Sequence, residues 1–313
     1  MTAYVVRRLL STIVVMAVVA FVVFSLLYLT PGDPAAVIAG DIATDDDIRR
    51  IHERLGLDDP FLVRFGRWVF ALAHGDLGTS IFTNLPVTQL IGQRIEPTLS
   101  LTLCTLIIAI AVAVPLGVIA AAKAGTWIDR AVMAFSVLGF SVPVFVIAYG
   151  LILTLSVEWD LLPVQGYRSF HEGVWEWLRH LILPSIALGT VYVALITRIT
   201  RASMLDVLAQ DYVRTAEAKG LAPNQVLVGH ALKNAAIPIV TIVGVGIALL
   251  ISGAIVTETV FALPGIGRLT VDAILRRDYP VIQGVILIFS AVYVLVNLAV
   301  DLSYVLFDPR VRY

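Results

Sequence analysis

The stretch Asp211–Pro238, DYVRTAEAKGLAPNQVLVGHALKNAAIP, decides how the chain is read, because it is the longest polar interruption between two apolar runs and still carries helical signals. Asp211 is placed as the N-cap of a helix that runs to about Lys219, with Glu217 near its end, and Gly220 supplies the positive φ at which a helix stops. Pro223 fits the first turn of a second helix, in which Val226, Leu227, His230 and Ala231 recur at helical spacing, with Lys233 near its end. A helix-Gly-helix hairpin of mixed charge, held between apolar runs, is a candidate docking surface for a soluble partner. By shape alone, an ordinary cytoplasmic loop is the alternative.

The apolar runs on either side set the class. Of 313 residues, 59% are hydrophobic and 14% charged, with a mean hydropathy of +0.92, against roughly 25% charged in soluble domains. Runs long enough to cross roughly 30 Å of hydrocarbon lie near 9–30, 98–122, 132–157, 181–199, 237–257 and 281–307. The expected fold is therefore an all-α integral membrane protein with six transmembrane helices. Val, Ile and Leu run on without strand-length punctuation, which disfavours a β-barrel. The chain divides into 1–30, the N-terminus and first span; 31–96, an extracytoplasmic helical segment; and 97–313, a five-helix core with a cytoplasmic loop at 200–236.

Arg7 and Arg8 precede the first span, which runs straight into Thr30-Pro31-Gly32-Asp33-Pro34 with no small-x-small cleavage site, so an uncleaved anchor is expected. With the N-terminus inside, the inner segments carry eleven basic and six acidic residues, and the outer segments eleven basic and seventeen acidic. Basic residues alone divide evenly, but five of the outer ones lie in the long first loop beyond Arg49, where the positive-inside rule is weak. The arginines beside the first span set both termini inside. Cys104, the only cysteine, lies in the second span, so no disulfide framework or thiolate metal cluster is available.

In the first outer segment Thr44 can cap a helix opening on Asp45, Asp46 and Asp47, and Asp59 before Pro60 opens another with Leu62, Phe65 and Val69 on one face. So short a segment reads as a cap packed on the membrane helices rather than as an independent binding domain. Pro115 and Pro143 are expected to kink the second and third spans. Trp159, Tyr167, Trp175 and Trp177 suit the headgroup level of the second outer loop. Gly244, Gly246 and Gly253 allow close helix approach or line a path, two readings the sequence does not separate. A short amphipathic helix is expected after Gly265-Ile266-Gly267. Asn297 and Asp301 stand four apart in the sixth span, with Asp301 near the inner surface in a capping or interhelical role.

No GxxxxGK[ST] phosphate loop, HExxH or GxSxG occurs, and the five histidines are scattered, so the chain shows no nucleotide site of that kind, no metal cluster and no visible active site. What remains is a bundle with a cytoplasmic hairpin and no motor of its own. Thr241, Ser252, Thr257 and Asn297 are scattered polar points in otherwise small and apolar spans, the pattern of a permissive pore.

In order and spacing, several runs resemble the permease subunits of ATP-binding-cassette importers of the dipeptide and oligopeptide branch, over almost the whole length. They are Pro31-Gly32-Asp33-Pro34, Gly75-Asp76-Leu77-Gly78-Thr79-Ser80, Tyr212-Val213-Arg214-Thr215-Ala216 with Lys219-Gly220-Leu221, His230-Ala231-Leu232-Lys233-Asn234, Pro264-Gly265-Ile266-Gly267, Arg277-Asp278-Tyr279-Pro280, and the ending from Asp308 to Tyr313. The resemblance makes the hairpin the EAA loop that docks on a cytoplasmic ATPase, with Arg214, Thr215, Ala216, Glu217, Gly220 and Leu221 as coupling residues. Against EAAxxxG, Arg214 stands in place of the Glu and Thr215 in place of the first Ala, while Ala216 and Gly220 match. A Glu contact to the ATPase therefore does not carry over.

The resemblance further implies alternating access in a bacterial inner membrane. The partners are a second, homologous permease, two ATP-binding subunits and an extracytoplasmic substrate-binding protein, with surrounding membrane lipid and no nucleic acid. ATP and Mg would be bound by the ATPase partners, and this chain itself would hold no cofactor and be no enzyme. Peptides are the implied cargo, with nickel complexes, glutathione or another small solute as alternatives. A secondary transporter is disfavoured, since neither inverted repeats nor a mid-span charge is visible. The topology predicts that cysteines at the Asp46 and Asp272 positions react with an impermeant reagent from outside, and one at Ala222 only after permeabilisation. External labelling at Ala222 in intact cells would overturn that map.

Overall fold

The computed structural model describes residues 2–29, 34–40 and 43–307. The Pro31-Gly32-Asp33 run and the ending from Asp308 lie outside them, as do the side chains of Arg7, Arg8, Ser252 and Asp301. Every regular element described is helical. In chain order these are α1 (Thr2–Leu29), α2 (Pro34–Ala39), α3 (Asp45–Leu55), α4 (Phe61–Ala73), α5 (Val87–Gly92), α6 (Ile95–Ala122), α7 (Trp127–Ser141), α8 (Val144–Leu151), α9 (Val174–Leu208), α10 (Asp211–Ala218), α11 (Leu232–Asn234), α12 (Ala236–Val260), α13 (Ile266–Arg276) and α14 (Tyr279–Phe307).

Among the described residues, three stretches are long and apolar enough to cross a membrane, 87–122, 174–208 and 279–300, and up to five if each of two bent pairs counts as one span. The chain is thus a multi-pass, all-helical membrane protein. It divides into two compact units, Met1–Ile95 with Arg268–Val294, and Glu96–Gly267 with Leu295–Tyr313.

In the first unit α4 packs on α1 through rings. Phe21 and Phe24 of α1 meet Phe61 and Phe65 of α4 at centroid distances of 5.4 to 5.9 Å, mostly edge to face. Thr44 caps α3 as expected, with a reciprocal box to Asp47. The Thr44 hydroxyl and backbone N–H hold the exposed Asp47 carboxyl below its usual value. The α4 start differs by one residue. Pro60 takes an extended ψ of 144° and occupies the cap, which leaves Asp59 to pair with Arg67 at 3.0 Å.

In the second unit α9 is the axis. It is 35 residues long, about 52 Å at the usual rise, and α7, α8 and α12 all pack on it. It carries small and hydroxyl side chains where neighbours come close. A Cβ at Gly117 of α6 would stand 2.5 Å from Thr200 Cβ and 2.9 Å from the Thr197 carbonyl. One at Gly139 of α7 would stand 3.1 Å from Thr190 Cγ2. The buried core around α9 includes Leu181, Leu188, Tyr192 and Ile196, with Leu101, Ala109, Leu250 and Phe261 from its neighbours.

The two prolines behave differently from a shared expectation of kinking. Pro143 breaks its span outright. It restricts Val142 to an extended backbone, and the axis turns by 100° between α7 and the segment from Val144 to Glu158, whose second half is π-wound. Pro115 sits inside α6 without ending it, in the stretch where that helix lies against α9.

These contacts predict that Gly117→Val drives α6 from α9 and lowers stability by about 1–3 kcal/mol. Gly150→Ala, with nothing within 4 Å of the added Cβ, is expected to be neutral. Thermal unfolding of the two purified variants in one detergent checks the contrast.

Candidate functional site

The hairpin begins two residues after α9 ends. Gln210, not Asp211, occupies the cap of α10, without a side-chain bond. Asp211 is the first helical residue and turns its carboxylate toward Arg214, 3.7 Å away. The stop is a Schellman turn. Gly220 has φ +77°, its N–H donates to the Glu217 carbonyl at 2.9 Å, and the Leu221 N–H donates to the Ala216 carbonyl at 3.4 Å.

Val213, Ala216 and Val226 form a small buried core that Leu221, Val207 and Leu208 complete, so the hairpin is glued to the end of α9. Ala216 therefore faces inward, while Arg214, Thr215, Glu217 and Gly220 are exposed.

The second arm opens at Pro223 as expected but is π-wound from Gln225 to Ala231. The wider turn brings Val226 and Ala231, five residues apart, both inward and turns His230 outward. Ala231 joins Ala235, Ile239, Met204 and Ala121 in a second small core. An ion pair with a buried carboxylate stiffens the approach to the hairpin. Arg201 of α9 grips Asp129 of α7 with both nitrogens, Nε to Oδ1 at 2.5 Å and Nη2 to Oδ2 at 2.8 Å, and Asp129 also accepts from the Gly125 N–H.

At the other end of α9 the loop that precedes it, from Tyr167 to Phe170, is folded onto one carboxylate. Glu96 accepts from Tyr167 Oη at 2.9 Å, Ser169 Oγ at 2.7 Å and the Phe170 N–H at 3.1 Å. Trp177 donates to Ser100. Tyr167 and Trp177 are thus tied into the fold, while Trp159 and Trp175, the other two aromatics named from the sequence, are widely exposed. Burial above all, with the Glu96 carboxylate also contributing, keeps the Tyr167 phenol above its ordinary value and hence protonated, a donor.

Glu258 makes a buried latch of the Pro264-Gly265-Ile266-Gly267 run. Its side chain is fully buried. Thr98 Oγ1 donates to it at 2.6 Å and accepts from the Ile266 N–H at 2.8 Å. A Cβ on Gly265 would collide with the carboxyl group, and one on Gly267 would stand 2.9 Å from Oε2 and 2.7 Å from Ile255 Cα. Ala262, a non-glycine residue, takes φ +51° in the turn above it.

In the first unit two of the quoted runs meet in the same way. Asp278 accepts from Ser80 Oγ at 2.5 Å and from the Ile81 N–H at 3.2 Å, beside Arg277 at φ +57°.

A family model described as "Binding-protein-dependent transport system inner membrane component" matches residues 113–313, and the N-terminal model of such components matches residues 1–102. The chain belongs to this family. Within it, the chain is a permease of the dipeptide and oligopeptide type.

It is 53% identical over 313 residues to the "Probable peptide ABC transporter permease protein y4tP" of Sinorhizobium fredii, covering all of both chains. It is 42% identical to the dipeptide transport system permease protein of Alkalihalophilus pseudofirmus, again over all of both. An inward-facing structure of the MetNI methionine ABC transporter shares the fold, with a TM-score of 0.59 at 17% identity over 71% of this chain and 97% of that one.

In this permease the polar points named from sequence are spread along α12 and α14. Thr241 and Thr257 turn their hydroxyls onto their own helix, at 2.7 Å from the Ile237 carbonyl and 3.5 Å from the Gly253 carbonyl. Gly244 lies against Val300, Gly246 against the Tyr192 ring, and Gly253 against Leu188. Asn297 is half-buried, and Ser252 is among the side chains outside the described set. Sequence reasoning missed Glu258, Asp278 and Glu96 as organising carboxylates. Glu258 stands one residue beyond the expected end of its span, and the paired glycines at 265 and 267 were the available signal.

The latch predicts that Thr98→Val, which strips a buried carboxylate of a donor, lowers stability by about 1–3 kcal/mol. Gly265→Ala is expected to lower it by a similar amount, and the double variant by less than the sum of the two, because both break one latch. Ala262→Gly, which relieves the left-handed alanine, should raise stability by about 1 kcal/mol. Unfolding of the four purified permeases measures all of this.

Proposed function

We propose that the chain is one membrane half of an ATP-driven importer of dipeptides or oligopeptides in a bacterial inner membrane, with six spans and both termini inside. The hairpin docks in a groove of a cytoplasmic ATPase subunit. The observation that carries this reading is the hairpin's two-sidedness. Its inner face is a closed apolar core continuous with α9, while its outer face presents Tyr212 and Val228, 44% and 58% exposed, among Arg214, Glu217 and Lys219. Exposed apolar side chains ringed by mixed charge suit a partner surface better than water.

ATP and Mg are taken by two such ATPases, which close on nucleotide and displace the hairpin. A second, homologous permease completes the pathway, and an extracytoplasmic binding protein delivers the cargo. The likeness to the peptide and dipeptide permeases supports the substrate class. Thr241, Gly244, Gly246, Ser252, Thr257 and Asn297 are assigned to the pathway or to packing beside it. Arg214, Thr215, Glu217 and Leu221 take part in coupling around the Gly220 turn, with Ala216 anchoring it from within.

Space around Gly220 is open, with nothing within 4 Å of an added Cβ, so only its backbone conformation resists substitution. Gly220→Val is expected to cost about 1–3 kcal/mol in the turn and to abolish ATP-driven peptide uptake in a reconstituted, co-purifying complex. Gly220→Asn, which tolerates the left-handed region, should keep most of it. Normal uptake by an assembled Gly220→Val complex would remove the hairpin from the coupling route.

A further inference from the structure

Helix α4 is apolar on both of its faces. Phe61, Phe65 and Trp68 turn to α1, where Phe24 lies 5.1 Å from the Trp68 ring. Leu62, Val63, Val69 and Phe70 turn away from it and are 75%, 50%, 39% and 68% exposed. Gly66 and Ala73 fall on the same exposed stripe. This stripe continues an exposed apolar surface of α1, with Ile13, Val14, Val18 and Phe21 bare along it, and Phe21 itself touches both Phe61 and Phe65. In a multi-pass protein a bare apolar surface of this kind suits contact with acyl chains.

Between the two helices and the start of α14 lies a cavity of about 290 Å³, lined among others by Phe24, Arg64, Arg67, Trp68, Tyr279 and Gln283; beyond the lining, the part-exposed Asp59 carboxylate pairs with Arg67 at 3.0 Å, so a phosphate there would share that guanidinium. Arg64 is 7% exposed, its guanidinium 5.9 Å from the Phe24 ring centre, and Gln283 is 8% exposed.

We propose that this cavity binds the phosphate headgroup of an anionic phospholipid, whose acyl chains lie along the bare stripe of α4. Two arginines suit a phosphate. Trp68 and Tyr279 beside them are the side chains of the membrane–water boundary. The volume takes a headgroup and leaves the chains outside. A free phosphate would use the arginines and leave the adjoining apolar stripe without a role, so the stripe decides for lipid. The inference rests on the membrane reading of the chain and is independent of the cargo.

The test uses the full chain, purified, delipidated and returned to nanodiscs of phosphatidylcholine with a small fraction of phosphatidylglycerol. Native mass spectrometry reads retained phosphatidylglycerol, with inorganic phosphate as competitor. Wild type should retain it in the presence of millimolar phosphate, and Arg67→Gln, at a side chain 65% exposed and hence foldable, should weaken retention about ten-fold. Arg64→Gln should weaken it further. Should that variant fail to fold, a nitroxide at Phe70→Cys provides the second measurement. It should be relaxed by oxygen and shielded from a water-soluble nickel complex. Equal retention by Arg67→Gln, displacement by inorganic phosphate, or a Phe70 label that is open to nickel or covered by a co-purified binding protein or second permease would each overturn the assignment.

Discussion

The backbone-close approach of α9 to its neighbours is the constraint on which the second unit depends. Between apolar helices in lipid there is no gain from removing oily surface from water, so association rests on dispersion contacts and on polar bonds across the interface. Dispersion falls steeply with distance, so helices that must hold together need side chains small enough to let backbones near. Gly117, Gly139, Gly246 and Gly253 meet that need on three sides of one helix, opposite Thr200, Thr190, Tyr192 and Leu188. The Thr197 hydroxyl adds a bond to the Ala113 carbonyl at 3.3 Å.

A second principle governs the ends of the helices. There the chain turns sharply, backbone groups lose their helical partners, and carboxylates, three of them buried and Glu96 part-buried, collect them. Glu96 organises the loop from Tyr167 to Phe170, Glu258 the turn into α13, Asp278 the turn out of it, and Asp129 the turn from Gly125 into α7. Each is an acid in a mostly apolar chain that accepts hydrogen bonds; Glu96, Asp278 and Asp129 take two or more donors each, the condition under which burying a carboxylate is tolerable. Two of these turns hold a left-handed alanine or arginine, strain that persists only where surroundings fix it.

How much of this was legible in the sequence follows from the range of the interactions. The hairpin, its Gly220 stop, the Thr44 cap and the helix after Gly265 are local, set by residues within a turn of one another, and could be read directly. The one-residue shifts at Asp211 and Asp59 are local too, but they turn on which residue takes an extended ψ, a difference of tenths of a kcal/mol that composition does not reveal. The π-winding of the second arm and the 100° break at Pro143 depend on what each segment packs against. The carboxylate latches join residues 160 and 198 positions apart; Ser80 and Asp278 both stand in recognisable runs that do not reveal that they meet, whereas Thr98 and Glu258 stand in none.

The two principles together bear on the proposed transport cycle. A force applied at the hairpin reaches α9 almost directly, because only two residues separate α10 from the end of α9 and α10 shares its core with Val207 and Leu208. Interfaces where backbones already touch can slide or rotate as units but cannot be compressed, so α9 carries α6, α7 and α12 with it. Polar clasps at turns have the opposite character. Their bonds are few and directional, and they can break and re-form at modest cost where the new partner is water. Rearrangement of the second unit is therefore expected to concentrate in its turns, around Asp129 near the hairpin and around Glu258 and Glu96 at the far end of α9, while the glycine-mediated contacts along α9 keep their registry.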